Sequence, residues 1–244
     1  MITDEDHGSR GRVMELQVLS AGAAKGLVES LAPALHAATG ATLRGEFGAV
    51  GAIQDRWLAG APCDVIILTN AMLVALARDG RVVPETIAPL GRVRTGIAVR
   101  VGDALPAIAD REALRRSLLN AKGLYLPDPE RSTAGVHFVK VLRELGIHDA
   151  VVSRLHAFPN GAIAMRELGQ SREPAQIGCT QITEINYTPG VALVGPLPVE
   201  FELATMYSVA VATTALQPVA AGRFARMLTG PEARELRVAG GFEA

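Results

Sequence analysis

Asp64-Val65-Ile66-Ile67-Leu68-Thr69-Asn70, followed by a helical pattern over residues 71–79 and then by Gly80, is the stretch on which the fold turns. Four successive aliphatic residues with no polar alternation describe a strand covered on both faces, as an inner strand of a parallel sheet is. Thr69 and Asn70 place side-chain oxygens where a helix begins, and Gly80 stands where it ends. The same strand–loop–helix unit occurs twice upstream. Residues 16–20 form a short apolar run, and residues 25–38 set Leu27, Val28, Leu31 and Leu35 on one helical face. Residues 42–47 read as a second strand, followed by a short helix over 51–59. Three βα units in about 65 residues imply a parallel sheet with right-handed crossovers.

Beyond residue 90 the pattern changes. Residues 93–101, after Leu90-Gly91, form an extended run long enough to pass from one body to another. A helix over 110–119, a strand over 123–126 and a turn at 127–132 follow. The helix over 133–145 keeps Val136, Val139, Leu142 and Leu145 in register, and another covers 160–168. Residues 177–180 and 191–194 read as strands, and Pro189, Pro196 and Pro198 mark a connector. Residues 205–213 are again extended, and helices near 216–228 and 231–239 close the chain. Two long crossovers, near 91–95 and 198–204, divide it. Residues 14–91 with 203–244 form one discontinuous lobe, and residues 92–202 form the other. The expected architecture is α/β and two-lobed, with parallel-rich sheets, helices on both faces and a ligand cleft between the lobes.

Composition agrees with this. Hydrophobic residues make up 49% of the 244 positions but aromatic residues only 4%, so Ala, Val and Leu dominate, which suits helices packed on a sheet. A core of that size needs no disulfide or metal. Cys63 and Cys179 lie in or beside apolar runs and read as buried free thiols. With 24 basic and 25 acidic residues, there is no basic excess to suit nucleic acid or an anionic membrane. No run approaches the ~18 apolar residues of a membrane span. Residues 1–13, MITDEDHGSRGRV, contain no apolar segment of the secretory type. They are expected to be a disordered leader on a cytoplasmic protein, or an upstream start with Met14 the true one; a removed signal would make the protein periplasmic. His7, His36, His137, His148 and His156 show no metal-ligand spacing, and there is no Gly-x-Ser-x-Gly. Neither a metal nor a cofactor is expected, and the sequence sets no oligomeric state.

In parallel α/β sheets, ligands gather at the carboxyl ends of the strands, where helix N-termini offer unpaired N–H groups. Four loops have that position: residues 20–25, 48–51, 69–70 and 130–135. Their small residues let a ligand approach the backbone. Gly22 and Gly51 serve equally for tight strand–helix packing, and Asn70, Ser132 and Thr133 serve equally as helix caps. Lys25, in the first turn of a helix, opposes the helix dipole; it reads either as a surface lysine or as a group facing an anion. Arg94 and Thr95 lie on the crossover strand, and Arg131 stands just before the fourth loop. Lys25, Arg94 and Arg131 are candidates to converge on a carboxylate-rich ligand. Lys25, Asp128 and Glu184 are the acid–base candidates, and sequence leaves the choice among them open.

Four segments carry a family resemblance. They are Val18-Leu19-Ser20-Ala21-Gly22-Ala23-Ala24, Leu58-Ala59-Gly60-Ala61-Pro62-Cys63-Asp64-Val65, Asp128-Pro129-Glu130 with Ala134-Gly135, and Leu228-Thr229-Gly230-Pro231-Glu232-Ala233. From about residue 15 to 242 the chain resembles the molybdate-binding solute-receptor family, of the type 2 periplasmic-binding-protein fold. That family holds its oxyanion with two serines, two backbone N–H groups and a tyrosine. By resemblance, the serines fall on Ala23 and near Val50 or Gly51, the N–H donors near Ala134 and Pro159, and the tyrosine on about Gln181. Proline has no N–H to give. Each lost hydrogen bond to a charged group costs ~1.5–3 kcal/mol, so molybdate and tungstate are poor ligands for this cleft. The loop reading and the resemblance together give a candidate site of Ser20, Gly22, Ala23, Lys25, Val50, Gly51, Thr69, Arg94, Thr95, Arg131, Ser132, Thr133, Ala134, Asn160 and Gln181. It would take a di- or tricarboxylate in place of the metal oxyanion. Aconitate isomerase is similar to the same family, so a cytosolic isomerase or tautomerase of a polycarboxylate is the alternative. The molybdate-binding component of a transporter comes third.

Overall fold

The computed structural model describes residues 14–243. Its elements are β1 (Glu15–Ala21), α1 (Lys25–Thr39), β2 (Thr42–Gly48), α2 (Val50–Leu58), β3 (Val65–Thr69), α3 (Asn70–Arg78), β4 (Ala88–Arg100), α4 (Arg111–Asn120), β5 (Gly123–Pro127), α5 (Thr133–Glu144), α6 (His148–Val151), β6 (Leu155–Phe158), α7 (Gly161–Gln170), β7 (Gln176–Gln181), α8 (Ile182–Asn186), β8 (Val191–Pro196), β9 (Ala204–Val211), α9 (Pro218–Thr229) and α10 (Arg234–Gly240).

The three opening βα units form as read. β1 pairs in parallel with both β2 and β3. Val65, Ile66, Ile67 and Leu68 of β3 are all 0% exposed, because each face of the strand has its own cover. Val65 and Ile67 pack with Leu27, Val28 and Leu35 of α1 and with Phe224 of α9. Ile66 and Leu68 pack with Ile53 and Trp57 of α2 and Leu73 of α3. Gly80, just past α3, has φ +67°, the left-handed turn that a glycine takes without strain. Cys63 and Cys179 are free and buried.

The strand β4, thirteen residues long, links the two lobes. Its first half, from Ala88 to Arg94, runs antiparallel to β9. Its second half pairs antiparallel with β7 and β8. The complete order is β2-β1-β3-β9-β4-β7-β5-β6, with β8 also on β4. β5 lies parallel to β6 and β7. Each lobe thus keeps parallel pairs, whereas every pair made by β4 or β9 is antiparallel. The mixed sheet curls between the lobes, with helices around it. A second core, with Ile97, Leu114, Leu124, Leu126, Phe138 and Leu142, covers one face of the second lobe's sheet. Ala98, Ala164, Met165, Leu168 and Ile185 cover the other. Where β4 passes between lobes, the Thr95 N–H donates to the Leu203 carbonyl, and the Thr95 carbonyl accepts from the Leu197 N–H, each at 3.1 Å. The two connections are therefore tied side by side.

Three details differ from the sequence reading. The short strand β6 has no buried residue, so it leaves no apolar pattern. The single turn α8 is too short to show a helical period. The proline-marked connector is partly strand: β8 ends on Pro196 and pairs with β4 alone among the described residues, a position where a missing N–H is tolerated.

Candidate functional site

The strand ends and helix starts of both lobes meet around one small chamber. Ala21, Gly22 and Ala23 come from the β1–α1 junction, and Gly48, Ala49 and Val50 from the β2–α2 junction. Ser132 and Thr133 stand before and at the start of α5, Asn160 and Gly161 at the start of α7, and Gln181 and Glu184 at α8. Tyr207 of β9 completes the wall. The chamber's volume is about 10 Å³, room for a single water at most. It adjoins a groove of about 990 Å³, with Gly22, Asn160 and Glu184 lining both. Lys25 from α1 and Arg166 from α7 line the groove together with the acids Glu29 and Glu46; Lys25 stands 3.8 Å from Glu29 and Arg166 3.2 Å from Glu167.

Capping and lining are combined in these loops. Asn160 Oδ1 accepts from the Ile163 N–H at 2.9 Å, and Ser132 Oγ accepts from the Gly135 N–H at 3.5 Å. Each therefore starts its helix while facing the chamber.

Glu184 is the most constrained polar group of the site. Its Oε2 accepts from Thr180 Oγ1 at 2.5 Å, and the backbone N–H groups of Gly161, Ala162 and Gln181 face the carboxylate closely enough to stabilise its charge. Burial pushes its pKa above the usual carboxylate value, and these four donors pull the other way. Tyr207, 2% exposed, has its hydroxyl beside Thr133 and Gln181. Burial, then the neighbouring Glu184, push its pKa up, and those two side chains oppose the shift. Gln181 is 3% exposed. Although its side chain faces Tyr207, neither of its amide atoms completes a hydrogen bond of normal geometry. Thr95 lies opposite Gln181 in register on β4, and its buried Oγ1 is likewise unpartnered.

Of the residues singled out from sequence, Gly22, Ala23, Val50, Ser132, Thr133, Asn160, Gln181 and Glu184 line the chamber, and Lys25 lines the groove. The others lie elsewhere. Ser20 is buried and donates to the carbonyl of Ala21. Thr69 caps α3 through the Met72 N–H, and Asn70 accepts from Ser208 Oγ at 3.0 Å. Ala134 is buried inside α5. Asp128 is spent on its own turn, accepting from the N–H groups of Glu130 and Arg131. The expected convergence of three cations does not occur. Arg94 is held by Glu243 and Glu202 and lies outside both chamber and groove. Arg131 pairs with Asp55 of α2, and its carbonyl faces the N–H of Gly51 at 3.4 Å. Arg131 and Gly51 thus fasten the two lobes to each other beside the chamber. Nearby acidic side chains, which sequence spacing does not reveal, take both arginines.

Sequence reasoning missed Tyr207, Gly161, Thr180 and Arg166. Tyr207 carried one signal, a lone phenol in the run Met206-Tyr207-Ser208-Val209-Ala210. The backbone N–H groups two and three residues beyond Pro159, those of Gly161 and Ala162, face the Glu184 carboxylate.

The fold and its loop-lined cleft define a two-lobed α/β binding protein. Residues 16–243 match the model of the bacterial extracellular solute-binding protein family, and the chain belongs to that family. It is similar to the aconitate isomerase of a Pseudomonas species, 28% identical over 230 residues that cover 91% of this chain and 84% of the relative. It is also similar to the molybdate-binding protein ModA of Escherichia coli K12, 24% identical with 93% and 88% covered. Among solved structures, the periplasmic molybdate-binding protein of Azotobacter vinelandii superimposes with a TM-score of 0.77 at 18% identity, over 94% of this chain and 99% of that one. The family's description is extracellular, whereas residues 1–13, on which the cytoplasmic expectation rests, lie outside the described residues. Among those described, no helix is long and apolar enough to cross a membrane.

Proposed function

We propose that the protein binds a small organic anion of the di- or tricarboxylate class in this cleft, and not molybdate. One observation carries the reading. The inner chamber presents a carboxylate, Glu184, while the cations Lys25 and Arg166 stand outside it along the groove. A ligand's carboxylates would replace Glu29 and Glu167 as the partners of these two cations, and its uncharged polar portion would lie against Gln181 and Tyr207. The likeness to aconitate isomerase supports a polycarboxylate ligand. We take residues 14–91 with 203–244, and residues 92–202, as the two bodies that part to admit it, since a chamber of about 10 Å³ admits nothing larger than water.

Glu184 also favours a second reading, that of an isomerase moving a proton along the bound ligand. A buried carboxylate with a raised pKa, placed where chamber meets groove, has the properties of a general base. Lys25, in the groove, is the remaining acid–base candidate from sequence.

A thermal-shift panel of molybdate, sulfate, citrate, the aconitates and succinate tests the binding reading. Proton NMR of each hit in deuterated buffer separates receptor from enzyme, because only turnover exchanges or interconverts the ligand. Lys25→Ala and Arg166→Ala should each weaken the organic anion about tenfold, the equivalent of ~1.4 kcal/mol. Tight binding of molybdate, or indifference of the organic anion to both substitutions, refutes the assignment.

A further inference from the structure

We infer that Glu184 is an internal anion: its carboxylate fills an oxyanion seat built by the second lobe, and by filling it determines which ligands the cleft rejects. The seat consists of the backbone N–H groups of Gly161, Ala162 and Gln181 together with the Thr180 hydroxyl, all directed at one carboxylate. Such a cluster of donors is what a helix N-terminus offers to an anionic ligand. Here the chain supplies the anion itself. Two glycines make room for it. A Cβ on Gly161 would lie 2.5 Å from Glu184 Cδ and closer still to Oε2. A Cβ on Gly22, across the cleft, would collide with Oε1.

Beside the seat, Gln181 is buried with both amide atoms unpartnered, and it lines the same chamber. An amide with one donor and one acceptor end suits a neutral hydroxyl, carbonyl or amide group. The carboxylate next to it repels a second anion in a site where water screens little. The chamber therefore excludes tetrahedral dianions on grounds of space and charge together. It accepts the neutral part of a ligand whose charges lie farther out. The inference deepens the function proposed above and rests on this cleft being the ligand site, but not on which organic anion binds there.

The test is isothermal titration of the full chain with sodium molybdate and with sodium sulfate, for wild type, Glu184→Ala and Glu184→Gln. Wild type should give no binding at millimolar oxyanion. Glu184→Ala vacates the seat and leaves four donors unmatched, so affinity for at least one oxyanion should rise about a hundredfold or more. Glu184→Gln removes the charge but keeps the seat filled, and should stay inert. Near-ultraviolet circular dichroism checks that each variant is folded. If Glu184→Ala does not fold, Glu184→Ser, which leaves a small acceptor beside Thr180, takes its place. A folded variant with an emptied seat that takes up neither oxyanion overturns the inference, as does oxyanion binding by wild type or by Glu184→Gln. Wild-type titration with the carboxylates is read separately. Its failure removes the proposed ligand class, while oxyanion uptake by Glu184→Ala would still establish the internal anion.

Discussion

Gly161→Ala is the most informative single change for the geometry of the site. Gly161 opens α7, and the added methyl would sit 2.5 Å from Glu184 Cδ and nearer to both Thr180 Oγ1 and Glu184 Oε2. Neither group can retreat into solvent, since Thr180 is 0% and Glu184 only 6% exposed. Overpacking of a closed site costs ~1–3 kcal/mol. Pushing the carboxylate off one of its four donors adds ~1.5–3 kcal/mol. Alanine regains up to ~1 kcal/mol over glycine in a helix. The net expectation is a loss of about 2–5 kcal/mol. At ~2–4 °C per kcal/mol for a chain of this length, the melting temperature should fall by roughly 10 °C. Gly222 is the internal comparison. It lies in α9, with the nearest atom 3.6 Å from where an added methyl would stand, so Gly222→Ala should stabilise by ~0.5–1 kcal/mol. Urea denaturation followed by far-ultraviolet circular dichroism, with calorimetry alongside, measures both. If Gly161→Ala lies within about 1 kcal/mol of wild type, well below the cost of overpacking plus a lost donor, Glu184 does not occupy the start of α7 and the account of the seat is wrong.

Three further outcomes rest on the same structure. Burial pushes the Glu184 pKa up, so the folded chain holds that proton more tightly than the unfolded chain does. The resulting stabilisation is complete below the unfolded value near ~4.3 and is lost as pH rises through the folded value. Relative to Glu184→Gln, wild type should therefore lose stability as pH rises from the unfolded value through the folded one, by ~1.4 kcal/mol per unit of the shift, and a gap independent of pH counts against burial as the dominant cause. Cys63, its thiol pushed up to about 12 by burial, and the fully buried Cys179 should resist a disulfide reagent in the native protein. Both should react after denaturation, and one fast native thiol would contradict the packing. Arg131 and Asp55 bridge the lobes with side chains 46% and 67% exposed, so a double-mutant cycle should give a coupling below ~1 kcal/mol that fades with salt; a larger, salt-insensitive coupling would show a pair shielded from water.

The βα alternation and the long crossover run were legible because they are patterns of burial. Period 3.6 in α1 and an unbroken aliphatic run in β3 report which faces are covered, and a covered face is a property of sequence. β6 and α8 were not legible, since one has no buried side chain and the other is a single turn. The pairing of charged groups was the least legible feature of all. Arg94 and Arg131 lie on the expected crossover and loop, but the groups that hold them, Glu243, Glu202 and Asp55, come from distant parts of the chain.

The amino-acid sequence by itself determined the two-lobed α/β scaffold and placed Gly22, Ala23, Val50, Ser132 and Thr133 on loops that line the chamber. Only the tertiary structure decided which polar groups meet them there. Glu184 reaches the start of α7 because Gly22 and Gly161 leave space for it, and because Thr180, near the end of β7, gives it a hydroxyl. Tyr207 arrives from β9 through an antiparallel pairing with β3. Hydrophobic burial is read locally along the chain, whereas the match of a carboxylate to its donors depends on distances between segments that only the closed fold brings together.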